Sequence, residues 1–276
     1  MRKKLTAFIR QGRCIFVRDK VFMLVFVFLC SGLVWAAVAA ASIVTTKHNL
    51  SVSGPGPVKS GVEGRVCVFC HTPHNALVDL DGIHVPLWNH TLSSVATYTL
   101  PSSPTMRSTP QNPPDGDSRL CLSCHDGTVA IGSVVNSGAA VSTISMSGTG
   151  PGGVMPGEPG GSGSSNLGTD LSGHHPVSIE VNQSLVNDKD AQCNAATVSW
   201  RVCLPLAGQP VQLRPTNNAY GAAMHTRTGV QCTSCHDAHE DSPPGNKFLR
   251  VDTTDPVLQL DPLCLACHRD CDLACQ

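Results

Sequence analysis

The sequence has few aromatic residues. Only 12 of its 276 residues are Phe, Trp or Tyr, and six of these lie within the first 41 residues. The remaining six are spread over residues 42–276, in a chain that holds 25 Gly and 20 Pro. Because aromatic side chains supply much of the buried area in an ordinary core, this composition predicts a weak protein-only hydrophobic core.

The sequence also lacks an excess of positive charge beyond its first 20 residues. Residues 42–276 contain 12 Lys or Arg against 19 Asp or Glu, a net charge of −7. A nucleic-acid-binding surface must be basic to neutralise phosphates. The composition therefore argues against nucleic acid as a partner.

The positive charge is concentrated at the N-terminus. Seven of the 19 basic residues lie in residues 1–20, and an apolar run follows at 21–41, ending in small residues that include Ala37-Val38-Ala39. This order predicts a signal peptide over 1–41, followed by one exported domain over 42–276. About 20 apolar residues can also span a bilayer, so a membrane anchor is the alternative. Both interpretations carry the chain across the inner membrane, to the periplasm, the cell surface or the extracellular space.

Cysteine, in contrast, is abundant, with 14 residues. Eight of them form four Cys-X-X-Cys-His motifs, where chance placement in this composition predicts about 0.03. The motifs are Cys67-Val-Phe-Cys70-His71, Cys121-Leu-Ser-Cys124-His125, Cys232-Thr-Ser-Cys235-His236 and Cys264-Leu-Ala-Cys267-His268.

This motif is the attachment signature of c-type haem. Two thiols at i and i+3 can bond to the two vinyl groups of one porphyrin, and the next residue offers an imidazole to the iron. The sequence therefore predicts four haem c cofactors, bound covalently by the eight motif cysteines. The proximal iron ligands are then His71, His125, His236 and His268.

Four further histidines are candidates for the opposite, distal side of each iron. His74 and His239 each follow a motif histidine by three residues, so in a helical turn the two rings share a face. Axial ligands approach an iron from opposite sides, so His74 and His239 must each serve a different haem. Pro176 favours an extended backbone at His175, which can present its ring to an iron. His48 completes the distal set, with His90 and His225 in reserve.

The connecting segments predict little regular structure. Residues 137–168 are rich in Gly, Ser and Thr, which indicates a flexible insertion. Alternating residues within 177–214 predict a small antiparallel β-hairpin. The predicted fold class is thus a multihaem cytochrome c, mostly irregular, with short helices at the motifs and a core formed by four stacked haems.

Four cysteines of residues 42–276 lie outside the motifs. In an oxidising compartment disulfides are expected for them, and four cysteines allow three connectivities. These residues are Cys193, Cys203, Cys271 and Cys275.

The ligand count separates the function classes. Eight histidines close four irons, and a closed iron transfers electrons but has no position for a substrate. The sequence therefore predicts an electron carrier rather than an enzyme. The alternative is a multihaem reductase, which needs one iron with an open face and acid–base residues beside it. Zinc ribbons would use the Cys-X-X-Cys pairs but leave the histidine after every pair unexplained.

Four short stretches resemble a known family. Residues 69–75, 86–89, 120–127 and 171–176 are similar to exported multihaem cytochromes of metal-reducing bacteria, in particular the tetrahaem extracellular cytochromes that polymerise into haem wires. The resemblance implies haems with two histidine ligands in a continuous chain, with one ligand donated by a neighbouring subunit. It also implies other redox cytochromes, copies of the chain in a filament, and a terminal acceptor such as a metal oxide as partners. Residues 182–231 take no part in it.

Overall fold

The computed structural model describes residues 42–77, 87–138, 142–194, 199–216, 227–243, 245–253 and 261–275. The predicted signal peptide or membrane anchor at 1–41 lies outside these ranges. Within them, no helix combines the length and the apolar character needed to cross a bilayer.

Four α-helices occur in the described ranges. They are α1 (Gly116–His125), α2 (Gln183–Asn194), α3 (Cys232–Cys235) and α4 (Asp261–Cys264). Three 3₁₀ turns accompany them, at Ile43–Thr45, Cys67–Phe69 and Pro151–Gly153. The helices are short, and α2 alone exceeds ten residues.

Seven short strands form three small antiparallel sheets in the described part of the chain. They are β1 (Lys59–Ser60), β2 (Met146–Ser147), β3 (Ile179–Glu180), β4 (Trp200–Val202), β5 (Arg214–Pro215), β6 (Thr228–Val230) and β7 (His268–Asp270). β1 pairs with β2, β6 lies between β3 and β5, and β4 pairs with β7. Every pair joins segments far apart in sequence except β5 and β6, so the sheets tie the ends of long loops together.

The apolar core consists of two clusters that include residues inside the first two motifs. In the first, Val68 and Phe69 of motif one pack with Val134 and Ile144. In the second, Leu122 of motif two packs with Tyr98 and Leu171. The positions between the motif cysteines therefore anchor these motifs to the rest of the chain.

Buried amide side chains supply much of the remaining interior. Asn89 is fully buried, donates from Nδ2 to the carbonyl oxygen of Asn136 at 2.9 Å, and accepts from the Asn136 backbone N–H at 2.8 Å. Gln231 is also fully buried and donates from Nε2 to Asp115 at 3.0 Å. Because buried polar groups are tolerated when hydrogen-bonded, a chain with few aromatic residues can still close an interior.

This architecture contradicts the predicted fold class. We expected a mostly irregular multihaem cytochrome whose core is four stacked haems. Instead, the described residues form four helices and seven strands around side-chain clusters and buried amides. They also bring together no group of three or more His, Cys, Asp or Glu side chains that could hold a metal ion. The prediction was wrong because it counted aromatic residues and overlooked hydrogen-bonded polar side chains as interior material.

The predicted hairpin within 177–214 is also wrong. β3 pairs with β6 and β4 pairs with β7, so the two expected strands do not pair with each other. Helix α2 lies between them, and Asn182 begins it by accepting the Leu185 backbone N–H at 3.0 Å. Asparagine is a preferred N-cap, so this start signal was present in the sequence. The flexibility of residues 137–168 stays a prediction.

Gly132 marks a close backbone approach. The Ile144 N–H donates to its carbonyl oxygen at 2.7 Å, and a Cβ atom at Gly132 would lie 1.9 Å from the Ile144 oxygen. We expect Gly132→Ala to lower the free energy of unfolding by about 1–3 kcal/mol through overpacking. Denaturant unfolding measures this loss. Gly61→Ala is the matched control, because no atom lies within 4 Å of its added Cβ, and equal stability of the two variants would contradict the expectation.

Candidate haem-attachment sites

Each Cys-X-X-Cys-His motif begins on a short helical element. Motif one occupies a 3₁₀ turn in which the His71 N–H donates to Cys67 at 2.7 Å. Motif two ends helix α1, motif three forms α3, and motif four starts at the end of α4. Residues three apart on a helix share a face, so the helical turns of motifs one, two and three direct their two cysteines to one side.

The cysteines divide into two groups. The structure joins Cys193 to Cys271 and Cys203 to Cys275, which confirms the expectation of disulfides and decides their connectivity. All eight motif cysteines carry free thiols. The residues predicted to bond to porphyrin are therefore the ones that remain available for thioether bonds.

Burial keeps most motif thiols protonated. It raises the pKa of Cys70 and of Cys267 to about 11 in each case. Burial, followed by the neighbouring Cys70, raises the pKa of Cys124. A hydrogen bond with Cys232 and burial raise the pKa of Cys121. Cys232 is the exception, because its hydrogen bond with Cys121 lowers its pKa.

The motifs lie next to one another in the order of the sequence. Cys70 of motif one lies close enough to Cys124 of motif two to raise the pKa of Cys124. Cys121 of motif two lies next to Cys232 of motif three, and Cys267 of motif four lies near Cys235 of motif three.

Backbone contacts position motifs two and three against each other. The Cys232 N–H donates to Ser118 Oγ at 3.0 Å, and the Ser118 N–H donates to Gln231 Oε1 at 3.1 Å. Ser118 and Gln231 are both fully buried. Helices α1 and α3 therefore hold their cysteines in a defined mutual position.

Three of the four motif histidines face a second histidine ring. The ring centres are 6.1 Å apart in each pair, with interplanar angles of 67°, 15° and 61°. The pairs are His125 with His48, His71 with His239, and His268 with His175. Three of the predicted distal residues thus lie opposite a predicted proximal residue.

Three of these six rings have one nitrogen hydrogen-bonded to a backbone oxygen. His48 Nδ1 donates to the Ala238 carbonyl oxygen at 2.9 Å, and His125 Nδ1 donates to that of Ser165 at 2.8 Å. His175 Nδ1 donates to the Pro176 carbonyl oxygen at 2.9 Å. His236 Nδ1 donates to Lys247 at 2.9 Å. Such a bond sets the tautomer and leaves Nε2 as the free ligand atom, as in most histidine–metal sites.

Charge and burial favour the neutral imidazole. Burial, followed by the neighbouring His239, lowers the pKa of His71. Burial, followed by His175, lowers the pKa of His268. Burial also lowers the pKa of His48 and of His125. Since a metal binds the deprotonated nitrogen, these sites hold histidine in its ligand form.

Four other predicted residues are placed differently. Among the described residues, no histidine ring faces His236 or His74 at the spacing of the three pairs. His90 is buried and has both ring nitrogens near carbonyl oxygens, Nδ1 with Thr91 at 2.9 Å and Nε2 with Ile131 at 3.2 Å. His225 lies outside the described residues. The ligand roles of these four residues stay predictions.

Two aromatic contacts at the sites were missed from the sequence. Phe248 stacks on His48 with ring centres 4.2 Å apart, and Trp200 packs edge-on against His268 at 4.9 Å. Neither residue is near its histidine in the sequence, so no spacing signal could have found either contact.

The residues present fit haem c. Two free thiols and an adjacent imidazole recur four times, and three of the imidazoles have a second imidazole opposite. A zinc ribbon needs four ligands around one ion, and the described part of the chain assembles no group of even three. A haem iron takes only two protein ligands, so histidine pairs are the appropriate test.

Comparison with known proteins adds no relative. A scan against models of protein families finds no match, and a search of curated proteins also finds none. Function must therefore be inferred from the residues of this chain.

Proposed function

We propose that this chain is an exported electron carrier that binds four haem c groups through its Cys-X-X-Cys-His motifs. The observation that carries the proposal is the spacing of the three histidine pairs, 6.1 Å between ring centres in each. Imidazoles bind transition metals at about 2 Å, so two rings on opposite sides of one ion have centres about 6 Å apart. Stacked rings in direct contact lie closer, as His48 and Phe248 do at 4.2 Å.

The chain's residues have distinct tasks in this proposal. Each cysteine pair fixes one porphyrin covalently, and the motif histidine provides the proximal nitrogen. His48, His175 and His239 provide the distal nitrogen at motifs two, four and one. The backbone oxygens that accept from Nδ1 orient the rings. A haem held in this way supplies a one-electron redox centre.

Two imidazoles per iron leave no position for a substrate, which favours electron transfer over catalysis. The neighbouring motifs also favour it, because thiols of successive motifs lie close together. The partners in this proposal are other redox cytochromes and an acceptor outside the inner membrane. Copies of the chain in a filament are a further part of the proposal.

Haem stoichiometry and spin state test the proposal together. We expect purified mature protein to have the intact mass of a chain beginning near Ala40 or Ser42 plus four haems. The irons opposite His48, His175 and His239 should be low-spin. Three or fewer haems in fully matured protein would contradict the proposal, and a retained leader would favour the membrane anchor.

A reductase is the second candidate, and the observation that favours it is His236. Its Nδ1 bond to Lys247 leaves Nε2 free for iron, yet no described histidine ring faces it. Binding of carbon monoxide to one reduced haem per chain would support the reductase. If no carbon monoxide binds, the free position of this iron would be closed by His74, by a residue outside the described ranges, or by a second copy of the chain.

A further inference from the structure

Helix α2 and the strand pair β4–β7 surround His268 with residues that lie mostly outside the family resemblance. The disulfide Cys193–Cys271 joins the end of α2 to the residue after β7. Trp200 on β4 packs edge-on against the His268 ring, with centres 4.9 Å apart. The histidine of motif four therefore lies next to a tryptophan ring and three residues before a disulfide cysteine.

Lys189 on α2 is the unusual residue in these surroundings. Its side chain is buried, with 3 % of the residue exposed. Its Nζ lies 4.6 Å from the centre of the Trp200 ring and also donates to the Thr105 carbonyl oxygen. A carbonyl oxygen and the face of an indole ring both favour an ammonium ion. Trp200 thus contacts both the ammonium group of Lys189 and the ring of His268.

The two acids that flank Lys189 on α2 are each paired with an arginine. Arg107 lies 3.4 Å from Asp188, and Arg201 lies 3.2 Å from Asp190. Within the described residues, no carboxylate lies within ion-pair distance of Lys189. The one acid opposite Trp200 in the β4–β7 pair is Asp270, which is exposed. Water screens an exposed charge far more than a buried one, so Asp270 offsets the charge of Lys189 only weakly.

We propose that Lys189 raises the reduction potential of the haem attached at motif four above the value it would have without this cation. The inference rests on the proposed function, because it needs a haem at His268. Reduction adds one electron to the haem, and a fixed positive charge stabilises the added negative charge. Lys189 contacts neither the iron nor its histidine ligand. Its charge acts through Trp200 in surroundings of low dielectric, so Lys189 is a positioning residue that sets the reduction potential.

Spectroelectrochemical titration of the full haem-loaded chain tests this inference. The test variants are Lys189→Met, which keeps the contact with Trp200, and Lys189→Gln, which keeps a donor for Thr105. We expect one of the four potentials to fall in both, with a roughly tenfold lower ratio of reduced to oxidised haem at fixed potential. That ratio corresponds to about 59 mV for one electron.

Two controls separate charge from packing. Lys189→Arg keeps the cation and should keep all four potentials. Asp188→Asn changes an exposed charge on the adjacent residue, 54 % exposed in its side chain, and should also leave them unchanged. Unchanged potentials in both neutral variants, an equal fall of all four, or the same fall in Lys189→Arg would overturn the inference. Absence of haem from the wild-type protein would instead refute the proposed function itself.

Discussion

Substitution of His239 by alanine should open one iron and leave every haem attached. Attachment uses only the motif cysteines, so the intact mass should still include four haems. The ring of His239 is nearly parallel to that of His71, with ring centres 6.1 Å apart and an interplanar angle of 15°. Its loss should convert the haem at motif one from low-spin to high-spin. The resulting absorbance change should be about one quarter of that expected for conversion of all four haems. Added imidazole should restore the low-spin spectrum by filling the vacated position.

His174→Ala is the matched control for this variant. His174 is an exposed histidine beside His175, and its backbone N–H donates to Leu171 at 3.0 Å. No second ring faces it among the described residues. We expect its spectrum to match the wild type. A fully low-spin His239→Ala variant with four haems would refute the pairing of His239 with His71.

Removal of one disulfide should cause the largest loss of stability. Cys203 and Cys275 close a loop with a sequence separation of 72 residues. Cross-links across loops of this length constrain the unfolded chain, so Cys203→Ala with Cys275→Ala should lower the free energy of unfolding by roughly 2–4 kcal/mol. Guanidinium unfolding measures the loss. The other disulfide closes a similar separation of 78 residues, so Cys193→Ala with Cys271→Ala should give a comparable loss.

The disulfide variants also report on motif four. Strand β7 begins at His268, and the two disulfides join the segment after it to residues on either side of β4. We expect the weakened strand pair to release His268 from His175 at lower denaturant concentration than the other histidine pairs separate. If all low-spin signals were lost together, at the same denaturant midpoint as in the wild type, the disulfides would not support this site.

The predicted distal histidines show how much residue patterns can predict. His48, His175 and His239 were identified from proline geometry, position and the three-residue spacing after a motif. Their partners could not be assigned, because His71 and His239 meet only after the chain has folded. His90 was kept in reserve from sequence, and its two carbonyl contacts are equally a tertiary result.

The predicted fold was wrong. Strand pairing depends on which distant segments meet, and β4 pairs with β7 rather than with its neighbour in sequence. Helix α2 could have been predicted from its Asn182 cap. The interior was misjudged because buried amides such as Asn89 depend on backbone groups that no local pattern reveals.

Local covalent chemistry explains what the sequence determined by itself. Both thiols and the first imidazole of each motif lie within five residues, so the sequence alone predicts four attachment sites and their proximal histidines. The histidine pairs, the disulfide connectivity and the cation beside Trp200 join residues that are far apart in the chain. Only the tertiary structure decides these contacts, because they depend on loop closure and on the packing of whole segments.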